Sequence, residues 1–139
     1  MSEIKGPGPI PARMRKLMIE MSRILPWPLK PYRPKPSDKP RPELDRWEHW
    51  FMAENPKYAE RGQFSAERQV VHVRYDPAEN VINIWAKLRN PEDDSKRIAD
   101  ELVNLLDVYT SQKNEKPRIT GEVGLPGMTT KIISQPIPK

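Results

Sequence analysis

The 139-residue chain has no cysteine, which removes disulfides, thiolate metal sites and cysteine nucleophiles together. Histidine is scarce, with His49 and His72 the only two. Asp45 and His49 stand at i, i+4 on an expected helix, yet two ligands do not make a metal site and no third lies near. His49 therefore reads as an ordinary amphipathic-helix residue. No apolar run approaches the roughly 18 residues that a membrane span needs, and residues 1–25 lack the uninterrupted apolar centre of a secretory signal. The chain has no Gly-x-Ser-x-Gly elbow. Gly121 to Gly124 cannot act as a phosphate loop without a following Lys-Ser/Thr and helix. Glu92, Asp93 and Asp94 suit the first turn of a helix, where acids meet the positive end of its dipole. These absences leave no catalytic, cofactor-binding or metal-ligating residue to nominate, and the expectation is a chain that is not an enzyme in its own right.

Apolar residues are also sparse. They make up 36% of the chain while 31% is charged, so there is room for one modest core. What is abundant is proline. Ten of the 17 prolines lie in residues 1–42. Charge divides at the same point: residues 1–42 hold ten Lys/Arg against three acids, a net of +7, and residues 43–139 hold fourteen against sixteen, a net of −2. The sequence pI near 9.5 thus describes an arm more than a basic domain. The coincidence predicts a basic, proline-rich N-terminal arm over 1–42 and a small α+β domain over 43–139.

Within the arm, Pro11 to Leu25 predicts an amphipathic helix. Met14, Leu17, Met18, Met21, Ile24 and Leu25 recur at 3–4 spacing, and Pro26 ends the run. Three fates suit this stripe: core, the groove of a partner protein that flexible Met side chains fill, or, least well, a membrane surface. Residues 26–42 predict an extended polyproline-like strap. Trp27, Tyr32, Arg33 and Lys35 on it suit an aromatic-lined groove, or RNA through cations and stacked rings. A helix is expected from Pro42 or Glu43 to about Met52, with Leu44, Trp47, Trp50 and Phe51 on its apolar side, and one further helical turn from Asn55-Pro56.

The domain is clearest after that. Gln69–Tyr75 and Val81–Leu88 are β-branched, alternating segments joined by Asp76–Asn80, which predicts a hairpin. Val71, Val73 and Tyr75 share one face with Ile82, Ile84, Ala86 and Leu88, and His72 points the other way, toward solvent or a partner. Asn90-Pro91 opens a long helix to about Thr110, with Ile98, Leu102, Leu105, Leu106 and Tyr109 as its core stripe. Two short strands, 118–123 and 128–134, form a C-terminal hairpin.

The expected function is a non-catalytic accessory subunit of a larger multi-protein complex, in which the arm docks on bigger neighbours. Its partner-binding residues would be Met14, Leu17, Met18, Met21, Trp27, Tyr32, Arg33, Lys35, Trp47 and Trp50. The alternatives are a ribonucleoprotein component that holds RNA through the basic arm, and a linear-motif adaptor. The expected place is the cytoplasm or an organelle interior, the mitochondrion included, with no secretion, no transmembrane segment and no cofactor.

Overall fold

The computed structural model describes residues 10–31, 50–61, 68–91, 94–127 and 129–135. They form an α+β unit in which two helices accompany one six-stranded, mostly antiparallel sheet. Helix α1 (Ala12–Ile24) is followed by β1 (Lys30–Pro31), β2 (Trp50–Glu54), a 3₁₀ helix (Pro56–Arg61), β3 (Val70–Asp76), β4 (Val81–Lys87), α2 (Ser95–Thr110), β5 (Arg118–Gly124) and β6 (Thr130–Ser134). The strands lie side by side in chain order. All neighbours pair antiparallel except β4 and β5, which run parallel. A parallel pair needs a long crossover, and α2 supplies it.

The hairpin follows from the sequence. Asn80 takes the left-handed conformation, φ 55°, that Asn tolerates better than most residues, and Tyr75 donates from its hydroxyl to Asn80 Oδ1 at 2.8 Å. Val73 pairs with Ile84 and Val71 with Ala86, which sets the inward residues of both strands on one side. β5 adds Ile119 and Val123 to that side through pairing with Ile82 and Ala86. β4 and β5 approach so closely that a Cβ at Gly121 would lie 2.2 Å from the Ile84 carbonyl oxygen. Glycine is required there because the two backbones meet with no room for a side chain.

Both helices contribute to the core against this face. Ile98, Leu102 and Leu106 of α2 and Met14, Leu17 and Met21 of α1 form one cluster with Val71, Val73, Ile82, Ile84, Ile119 and Val123. Arg13 fastens α1 in place. Its guanidinium donates to the Tyr109 carbonyl at 2.6 Å, the Pro117 carbonyl at 2.7 Å, Gln135 Oε1 at 2.7 Å and Gln112 Oε1 at 3.1 Å. It also lies 5.5 Å from the centre of the Tyr109 ring. A cation at the carbonyl end of α2 is favoured by the helix dipole as well. The Tyr109 hydroxyl in turn donates to Glu20 of α1. Burial first, and the bond to Glu20 second, raise the Tyr109 pKa.

Three expectations change. The helix expected up to Met52 is replaced over Trp50–Glu54 by β2, because Phe51 and Ala53 alternate inward and pair with Val73 and Val71. Pairing with β3 overrides an apolar spacing that fits either period, while Leu44 and Trp47 lie outside the described residues. The long helix begins at Ser95 rather than Pro91, since Asp94 sits at φ 63° and turns the chain out of the helical path. Finally, the break in charge and proline content at residue 42 is not the edge of the core. Met14, Leu17 and Met21 are 0% exposed, and β1 is the sheet's first strand. The C-terminal pair of strands does form, joined to β4 as part of the same sheet.

Candidate functional site

Strand alternation divides the sheet into an inner face, which holds the core, and an outer face, on which neither helix packs its buried stripe. Ile84 and Ala86 turn inward, so Trp85 between them turns outward and is 46% exposed. Register then assembles its neighbours. One row crosses all six strands as Lys30, Met52, His72, Trp85, Glu122 and Ile132. The next row runs Trp50, Arg74, Asn83, Thr120 and Ser134. A third carries Glu54, Val70, Lys87, Gly124 and Thr130.

Three rings meet at the centre. The His72 and Trp85 ring centres are 5.1 Å apart with planes inclined at 41°. Trp50 and His72 stand edge to face at 6.2 Å and 90°, a geometry that aromatic quadrupoles favour. The Arg74 guanidinium lies 5.7 Å from the Trp50 ring centre, within cation–π reach. Between Trp50, Arg74, Trp85 and Glu122 lies a shallow hollow of about 520 Å³. Asn83 and Thr120 form its floor, joined by a hydrogen bond from the Thr120 hydroxyl to Asn83 Oδ1 at 2.8 Å.

Electrostatics sharpen the picture. Burial pushes the His72 pKa down to about 4, helped by Arg68 and partly opposed by Glu54. The imidazole is therefore neutral at physiological pH and acts as a ring, not as a charge. Beside it cations gather around Lys87 of the third row. Arg68 pairs with Glu54, and Lys87 and Arg89 stand close enough that, after burial, Arg68 and Arg89 lower the Lys87 pKa. The outer face thus offers flat rings, a cationic end, and a carboxylate and amide at Glu122 and Asn83. These groups are suited to binding by stacking and hydrogen bonding.

The nominated partner-binding residues are scattered. Met14, Leu17 and Met21 are core, because their faces are filled by the sheet and α2, and nothing of them remains for a partner. Met18 packs partly buried beside them, and Trp27 is 8% exposed. Trp50 alone reaches the outer face. Tyr32, Arg33, Lys35 and Trp47, like His49, lie outside the described residues. Among the described residues no group of three His, Asp or Glu could hold a metal ion, and no helix is long and apolar enough to cross a membrane. The sequence alone does not single out Trp85, Arg74, Asn83, Thr120 or Glu122. The outward side of His72 is the available signal, since a residue opposite His72 faces the same way. No protein-family model matches the chain, and neither the curated proteins nor the solved structures give a significant match.

Proposed function

We propose that this protein is a non-catalytic binding component of a larger assembly, and that the outer face of the sheet is its contact surface. The observation that supports this is Trp85, a large ring 46% exposed at the centre of a sheet, beside His72 and Trp50. Surface tryptophan is energetically concentrated contact area, and such residues recur at the anchor points of interfaces. The buried methionine stripe moves the attachment away from α1. The arm residues Tyr32, Arg33 and Lys35 stay in the proposal as auxiliary contacts.

Tagged full-length chain captured from its native extract tests the reading. Trp85→Ser should strip the stoichiometric partners. Val108→Ser, at a residue 57% exposed on α2, should leave them in place. Equal recovery with both variants would end the proposal. The ribonucleoprotein reading gains from the cations Arg68, Lys87 and Arg89 beside the rings, and it names the partner that the face fits best.

A further inference from the structure

We infer that the outer face is a stacking platform for single-stranded RNA, with an unpaired base on Trp85 and the sugar–phosphate chain passing along Lys87 and Arg89. This rests on the preceding reading that the outer face is the contact surface, and it commits that surface to one class of partner.

Shape comes first. An unpaired base needs an exposed flat ring and space above it. Trp85 supplies the ring, and the hollow of about 520 Å³ beside it supplies the space. Sheet faces suit this because neighbouring strands hold rings at a fixed spacing of about 4.8 Å, and stacking tolerates any base. Trp50 lies two strands from Trp85 and one row over, which puts it about 12 Å away by strand and residue spacing. His72 lies between them, with its ring centre 5.1 Å from that of Trp85 and 6.2 Å from that of Trp50. A run of neutral rings therefore crosses the sheet, long enough for more than one base.

Charge comes second. The core of a protein-docking face is depleted of lysine and carboxylates. Here the row of the rings also holds Met52 and Ile132, and cations flank it, Arg74 on one side and Lys87 with Arg89 on the other. After burial, Arg68 and Arg89 both lower the Lys87 pKa, so Lys87 and Arg89 give the face a cationic edge along which a phosphate chain can pass. Of the acids on this face, Glu54 is already paired with Arg68.

Sugar recognition comes third. Glu122 is the cross-strand neighbour of Trp85, and Asn83 with Thr120 lies one row away. A base stacked on Trp85 carries its ribose within this group of acceptors and donors. The 2′-hydroxyl, both donor and acceptor, is the group by which a protein tells RNA from DNA.

Fluorescence anisotropy with full-length protein and a labelled 12-nucleotide oligoadenylate tests the inference. The intact chain should bind, and quenching of tryptophan emission should follow the same curve. Trp85→Ala should weaken binding roughly 5- to 150-fold, the range for loss of one stacked base, and Trp85→Phe should recover most of it. With about three phosphates neutralised, affinity should fall roughly 20-fold between 50 and 200 mM salt, and Lys87→Gln should flatten that slope by about 0.7. The deoxyribose oligomer of the same sequence should bind more weakly. Absence of binding at 50 mM salt, indifference to Trp85→Ala, or equal affinity for the deoxyribose oligomer would overturn the inference. Should RNA fail to bind while Trp85→Ser still strips nuclease-resistant protein partners from the captured chain, the inference falls and the contact-surface reading stands.

Discussion

The two faces of the sheet are built from the same strands with opposite chemistry. On the inner face Val71, Val73, Ile82, Ile84, Ile119 and Val123 are at most 1% exposed. They have two helices over them, and every residue there is explained by packing. On the outer face the same strands carry His72, Arg74, Asn83, Trp85, Thr120 and Glu122 between the buried Val70 and Val81, and no helix stripe covers these six. An antiparallel sheet commonly leaves one side in water, and that side is then expected to be plainly polar. A central Trp–His–Trp cluster departs from that expectation. The comparison teaches that the fold is specified by the inner face, and that the outer face is free to be specified by something else.

The largest expected effects lie inside. Leu102→Ala on α2 or Leu17→Ala on α1 should each cost about 2–5 kcal/mol, the range for emptying a filled core site. Urea unfolding would measure it. The Leu17 result matters more, because it tests whether α1 belongs to the inner face. A loss below about 1 kcal/mol would show α1 to be a detachable arm after all. Arg13→Ala probes the same attachment by its polar half. Four acceptors and the Tyr109 ring lose a shared cation, so about 1.5–3 kcal/mol should disappear.

How far these faces are legible in the sequence depends on range. The hairpin and the core stripe of α2 are set by neighbours in the chain, so strict alternation and the 3–4 spacing expose them. β2 is set by β3, some twenty residues on, and Trp50-Phe51-Met52 carries too short a pattern to choose strand over helix. The fate of α1 was equally hidden. Its methionine stripe has the same spacing whether it covers this sheet or a partner, and only tertiary placement decides. Trp85 is hidden for a simpler reason. It stands among Ile82, Ile84 and Ala86, whose inward alternation already marked it as outward, but its significance comes from His72 and Glu122 on other strands.

Acid should act on the outer face at its border with the core. The folded pKa of His72, about 4, lies below its ordinary 6.5. Between those values the unfolded chain takes up more protons than the folded one, so stability is intact above pH 6.5 and declines as pH falls toward 4. The loss should reach about 2 kcal/mol at most, after allowance for the partial exposure of the ring. Comparing urea midpoints of the parent and His72→Gln at pH 7 and pH 4.5 isolates it. The gap between the two proteins should change in favour of the variant at the lower pH. An unchanged gap would mean that the ring is already well solvated, and the outer face would then be an ordinary wet surface.

The smallest effect is the most discriminating. Trp85→Ala removes the most exposed of the three outer-face rings, and a tryptophan in a core would cost about 3–5 kcal/mol on removal. At 46% exposure, and with a ring contact to His72, Trp85 has less packing to lose than a core residue. The expected change is about 0.5–1.5 kcal/mol, the worth of an aromatic pair. Thermal unfolding in the absence of any partner would measure it. A loss in that range alongside a large loss for Leu102→Ala would mean that the exposed ring contributes little to the isolated fold, and that its reason lies in what it touches. A loss of several kcal/mol would reverse this. Trp85 would then be a core residue of a second, outer layer, and the asymmetry between the faces would no longer indicate a partner.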